Sequence, residues 1–141
     1  ARQPPRPAVV VAVGSRHPRV RGHVGTLRGA NPTGVVVHDL LDLAEGDSTG
    51  IASGLARQAV LSLRALPAGA ALIATGGDIA LAICRELEAT ALRPQGELLP
   101  GVIWSRVEGP DLVLVTKAGG FGEEDVLLRA ALKLLGMESD G

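Results

Sequence analysis

Ala70-Ala71-Leu72-Ile73-Ala74-Thr75-Gly76-Gly77-Asp78 decides the fold. A short, unbroken apolar run reads as a strand covered on both faces, as in a parallel sheet. It stops at a turn of hydroxyl, glycine and carboxylate residues, and a helical pattern from about Asp78 to Glu88 follows. The same order of events occurs twice more. Val9–Val13 runs into Gly14-Ser15, and Leu112–Val115 runs into Thr116-Lys117-Ala118-Gly119-Gly120-Phe121-Gly122. In an α/β protein such turns collect at the carboxyl edge of a parallel sheet, where ligands bind. The expected fold is therefore α/β, a three-layer sandwich with a mostly parallel sheet and glycine-rich loops at its carboxyl edge.

Between these three units the punctuation is clear. Pro18 suits a first helical turn, and a helix weakened by Gly22 and Gly25 runs to about Leu27. Asn31-Pro32-Thr33-Gly34 is a turn, and Val35–His38 a short strand. Asp47-Ser48-Thr49-Gly50 offers caps for a helix whose stripe is Ile51, Leu55, Ala59, Leu63 and Leu66, ended by Pro67-Ala68-Gly69. Leu92–Gly101 reads as irregular, broken by Pro94, Gly96, Pro100 and Gly101. Val102–Val107 and Leu112–Val115 read as strands joined across Glu108-Gly109-Pro110-Asp111. A last helix from about Glu123 to Leu135 stops at Gly136.

Composition bounds the rest. A chain of 141 residues with 46% apolar content fits one compact domain over residues 8–141. The Pro-rich head, residues 1–7, reads as a linker or frayed end. It lacks an initiator Met, so the chain is expected to be processed or cut from something longer, and it lacks a signal-peptide core. No run approaches the ~18–20 apolar residues of a membrane helix, so no membrane partner is expected. Cys84 is the single cysteine, which excludes an intramolecular disulfide and suits a cytoplasmic setting. A net charge of −1, with Phe121 and Trp104 the only aromatics, argues against a nucleic acid partner.

Each glycine turn has two readings. Thr75-Gly76-Gly77-Asp78 is either a tight turn capped by Asp78 or a phosphate cradle, with exposed N–H groups and a helix dipole behind them. Gly119-Gly120-Phe121-Gly122 has more glycine than a simple turn needs, and Lys117 before it offers a point charge for a phosphate. Glu123, Glu124 and Asp125 read best as helix-start charge, with a water-mediated Mg²⁺ as the alternative. Gly14-Ser15 gains weight only by sharing the edge with the other two. Neither G-x-x-x-x-G-K-[ST] nor G-x-G-x-x-G is present, which argues against a P-loop enzyme and a standard dinucleotide fold. His17, His23 and His38 lack metal-ligand spacing, Ser15 lacks a G-x-S-x-G context, and no catalytic residue or metal site is assigned.

These motifs in this order carry a resemblance. Val-Ala-Val-Gly14-Ser15, Thr75-Gly76-Gly77-Asp78, Gly96-Glu97-Leu98-Leu99-Pro100-Gly101-Val102 and Thr116-Lys117-Ala118-Gly119-Gly120-Phe121-Gly122 together resemble the C-terminal nucleotide-binding domain of the four-carbon acid sugar kinase family. The resemblance covers nearly the whole chain. It implies an ATP-binding domain, with Mg²⁺, of a kinase phosphorylating acids such as threonate or erythronate, the acid being bound by an N-terminal domain that nothing in this sequence resembles. By position, Ser15, Gly76, Gly77, Asp78, Ile79 and Gly119 would contact the nucleotide; Lys117 and Gly120 join them from the glycine-loop reading. Ile79 stands where that family usually has threonine, and Val20 and His23 where it has threonine and glutamine. The alternative is a non-catalytic nucleotide-binding or regulatory module that kept the fold. Self-association into a homo-oligomer is left open.

Overall fold

The computed structural model describes residues 3–43, 48–110 and 112–137. Asp47 and the Ser48 and Thr49 side chains, expected as helix caps, lie outside that description, as does Asp111. In chain order the elements are β1 (Val9–Val13), α1 (Pro18–Ala30), β2 (Val35–Asp39), a 3₁₀ turn (Leu40–Asp42), α2 (Ser48–Ala65) and β3 (Ala71–Thr75). There follow α3 (Gly77–Glu86), β4 (Ala91–Leu99), β5 (Val102–Glu108), β6 (Leu112–Lys117) and α4 (Val126–Leu134).

The described strands form one six-stranded sheet in the order β2-β1-β3-β6-β5-β4. β2, β1, β3 and β6 are mutually parallel, while β5 and β4 add an antiparallel margin beyond β6. The apolar runs explain the layering. Along β1, Val9, Val11 and Val13 pack with Val20, Val24 and Leu27 of α1 and with Leu127, Ala131 and Leu134 of α4. Val10 and Ala12 point the other way, onto Leu55 and Ala59 of α2 and Ile79 and Ile83 of α3. Every residue of β1 and β3 is buried, which is why both strands read as unbroken apolar runs. This is the expected three-layer sandwich.

The topology also fixes where a ligand can enter. From β1 the chain passes through α1 on one face, whereas from β3 it passes through α3 on the opposite face. Adjacent strands whose following helices leave to opposite faces open a crevice at their carboxyl ends. Here that crevice lies between β1 and β3.

Three expectations need correction. The stretch read as irregular, Leu92–Gly101, is mostly β4, paired antiparallel with β5 from Ala91↔Glu108 to Leu99↔Val102. Pro94 and Gly96 are accommodated because β4 is an edge strand and its register shifts at Pro94/Gly96 and Glu97/Leu99. The last helix begins at Val126, since Glu123–Asp125 form a turn closed by the Val126 N–H on the Glu123 carbonyl at 3.0 Å. α1 persists through Gly22 and Gly25 to Ala30, where Asn31 in the left-handed region, φ 45°, closes it on the Leu27 carbonyl. In the head, the Arg6 N–H donates to the Leu134 carbonyl at 2.7 Å. Among the described residues no helix is long and apolar enough to cross a membrane.

Candidate functional site

The parallel register brings the three glycine turns together. Val13 pairs with Thr75, and Thr75 with Lys117, so the chain leaves three adjacent strands at one level. The turns then bond to one another: the Gly14 N–H donates to the Thr75 carbonyl at 3.0 Å, and the Gly76 N–H to the Lys117 carbonyl at 3.1 Å. Gly14 is glycine for a packing reason, since a Cβ there would lie 2.8 Å from Ile79 Cβ. Gly76 holds φ +107° as the residue capping α3, a conformation closed to most L side chains.

Over the β1–β3 crevice is a cavity of about 350 Å³ lined by Gly14, Ser15, Arg16, Leu40, Ile51, Ala52, Leu55, Asp78 and Ile79. Its apolar wall is Leu40, Ile51, Leu55 and Ile79; its polar rim is Ser15, Arg16 and Asp78. Ile79, 1% exposed, joins that wall and offers no hydroxyl. Asp78 is exposed in the first turn of α3, whose cap is Gly76, so its carboxylate does not stand at the cap position expected of it. Gly77 is exposed, and a Cβ there would meet nothing within 4 Å: its backbone faces open space. The Ser15 hydroxyl accepts from the His17 N–H at 3.2 Å, which leaves its proton free to donate outward.

The third turn lies beside this cavity without lining it. A Cβ on Gly119 would sit 3.3 Å from Ser15 Oγ, and one on Gly120 would strike the His17 ring at 2.7 Å. Lys117 is placed differently from the sequence reading. Its side chain is buried, 3% exposed, and its ammonium donates to the carbonyls of Ala118 and Phe121, both at 2.8 Å, and of Gly119. Burial pushes its pKa down to about 8. The charge expected on a phosphate instead ties the glycine loop from below. The far end of that loop is held by His23, whose Nε2 bonds the Gly122 carbonyl at 3.2 Å.

Sequence reasoning brought Ser15, Asp78 and Ile79 to the cavity and set Gly76 and Gly77 beside it. It missed Arg16, Leu40 and Ala52, and it read Ile51 and Leu55 only as a helix stripe. Those residues come from segments distant in the chain, and only the β2–β1–β3 strand order places them over one crevice.

The sequence matches the nucleotide-binding C-terminal domain family over residues 10–127, and the chain belongs to that family. Over 65 residues it is 46% identical to the D-threonate kinase of Bordetella bronchiseptica, a stretch covering 44% of this chain and 16% of that protein. Over 62 residues it is 42% identical to the D-threonate kinase of Salmonella typhimurium, covering 42% of this chain and 15% of that protein. A solved domain of unknown function from Bordetella bronchiseptica, a domain-swapped dimer with bound citrate, matches with a TM-score of 0.73 and 28% identity. That match covers 92% of this chain and 39% of the solved one, so the chain spans well under half the length of these relatives. Together these matches bear out the resemblance to the C-terminal domain of the four-carbon acid sugar kinases.

Proposed function

We propose that the chain binds ATP with Mg²⁺ in the β1–β3 crevice, as the nucleotide-binding part of a kinase that phosphorylates a four-carbon acid sugar held by another domain. The observation that carries this reading is the cavity itself. A nucleotide-binding family member places an apolar wall, a hydroxyl and a carboxylate at the switch point, beside the open backbone of a helix N-terminus.

The donor set fits the group. The Gly77 backbone and the first turn of α3 favour an anion, while the Asp78 carboxylate beside them disfavours a bare one. That pair suits a phosphate already chelated to a hard cation, which is commonly held by one or two carboxylates plus substrate oxygens. Ser15 and Gly77 would hold phosphate oxygens, Asp78 would face the cation, and Leu40, Ile51, Leu55 and Ile79 would take the apolar part of the nucleotide. When bound, the cation supplies neutralisation of the phosphate charge. Lys117 keeps the Ala118–Phe121 loop in shape and so supports Ser15 through Gly119. Pairing of copies is likewise a proposal, which light scattering decides.

A second reading rests on the donors of the site: with the Lys117 ammonium turned inward and Ile79 without a hydroxyl, it offers fewer phosphate contacts than the glycine-loop reading and the resemblance together imply. The chain would then be a non-catalytic module that retains the fold. Isothermal titration with Mg-ATP separates the two. Saturable binding that Gly77→Val weakens at least about a hundredfold, with the melting temperature held, supports the first. The size follows from losing two or three charge-assisted hydrogen bonds at ~1.5–3 kcal/mol each. No heat at millimolar nucleotide supports the second.

A further inference from the structure

Asp39 is the last residue of β2, level with Val13 on β1, and its side chain is 2% exposed. A buried carboxylate is tolerated only where its charge and lone pairs are answered. Here they are answered by groups outside the cavity that are bonded or joined to residues of its walls, Ser15 and Leu40. Asp39 Oδ2 receives Arg21 Nη1 at 2.6 Å, and Asp39 Oδ1 receives the Leu41 N–H at 3.2 Å. The other terminal nitrogen of Arg21, Nη2, donates to the carbonyl of Ser15 at 2.9 Å. Arg28 stands 3.8 Å from the same Asp39 oxygen and is shared with Asp42 at 3.2 Å.

One carboxylate therefore joins two walls. Through Arg21 it holds Ser15, and with it Arg16, on the α1 side of the cavity; through the Leu41 amide it holds the 3₁₀ turn that presents Leu40 to the same cavity. The planar guanidinium is what makes the bridge. It offers parallel donors to two acceptors at once, which the point charge of a lysine ammonium does not reproduce.

We infer that Asp39 and Arg21 are positioning residues that fix the Ser15 turn against the Leu40 turn and so set the shape of the ligand cavity. Neither is required to touch the ligand. The inference rests on the nucleotide reading for the identity of that ligand, but the placement of the turn is measurable without one.

Arg21→Lys is the discriminating variant, because it keeps a cation for Asp39 and removes the second bond to Ser15. In the unliganded chain, hydrogen exchange at the Gly14 and His17 amides, bonded to the Thr75 carbonyl and the Ser15 hydroxyl, is expected to rise at least tenfold, with the melting temperature within a few degrees of wild type. The Kd for Mg-ATP is expected to rise about tenfold alongside it. Asp39→Asn, which keeps an acceptor for the Leu41 amide, is expected to speed the same two amides. Arg21→Lys with wild-type exchange at those amides overturns the inference, since the pair would then be a structural ion pair only. If the variants do not fold, the unmutated chain decides: distinct, slowly averaging Nη proton signals for Arg21 support the bridge, and one freely averaged signal overturns it. Faster exchange in Arg21→Lys together with no nucleotide binding by wild type leaves the positioning standing and removes the nucleotide reading.

Discussion

His23 shows how a single side chain can tie loop shape to pH. It is 1% exposed, its Nε2 bonds the Gly122 carbonyl, and its Nδ1 has no hydrogen-bond partner. Burial is the main cause that holds its pKa below the ordinary 6.5, with the bond to Gly122 opposing and the nearby Lys117 charge adding to the depression. The native imidazole thus stays neutral where the unfolded chain takes up a proton. Stability from this group is present above 6.5 and is lost as pH falls from there towards the folded value. His38, also lowered by burial, acts in the same direction. Glutamine donates to the Gly122 carbonyl without titrating, so His23→Gln is expected to flatten the fall in melting temperature between pH 6.5 and 5, leaving the part due to His38. A curve superimposable on wild type would place the acid sensitivity elsewhere. The sequence made His23 visible as a histidine without metal-ligand spacing and as a departure from the acid sugar kinase pattern. Its contact with Gly122, 99 positions away, depends on how α1 and the β6–α4 loop meet, which no local spacing encodes.

Among the elements, legibility followed burial. β1 and β3 are covered on both faces, so composition alone marked them. β4 pairs on one side only, carries exposed polar residues and contains Pro94 and Gly96; nothing local distinguishes it from a loop, and its pairing with β5 is what makes it a strand. α1 is the intermediate case. Its glycines lower helix propensity, yet Val20, Val24 and Leu27 bury one face and override that cost. Gly25 is exposed in this helix and a Cβ there would meet nothing within 4 Å, so it retains the propensity penalty without a packing reason. Gly25→Ala is expected to stabilise the domain by about 0.5–1 kcal/mol, raising the melting temperature by about 1–4 °C. Gly22→Ala should gain a similar amount, because its Cβ would make ordinary contact, at 3.4 Å, with the flexible end of Glu124. Gly109→Ala should lose stability instead, since Gly109 holds φ +107° with the Glu88 carbonyl 3.4 Å from a Cβ. Thermal melts of the three variants check the order; equal shifts in all three would mean that backbone entropy alone decides.

For the whole molecule, the strand order does what no motif does alone. It turns three ordinary strand-to-helix turns into one edge and sends α1 and α3 to opposite faces, which opens a crevice at a level set by the register. Residues of four segments of this chain line the cavity there, and in our reading it serves the nucleotide and leaves the acid sugar to another domain. That division has a measurable consequence. A ligand that binds only the folded state adds RT ln(1 + [L]/Kd), about 2.7 kcal/mol at a hundredfold excess over Kd. For a domain near 150 residues each kcal/mol moves the midpoint roughly 2–4 °C, so saturating Mg-ATP is expected to raise it by about 5–10 °C. Threonate or erythronate alone is expected to leave the midpoint unchanged, and the purified chain with both substrates to release no phosphorylated product. A thermal shift with the sugar acid but none with Mg-ATP would reverse the assignment of the crevice. Product formation by the chain alone would show that its own residues hold both substrates.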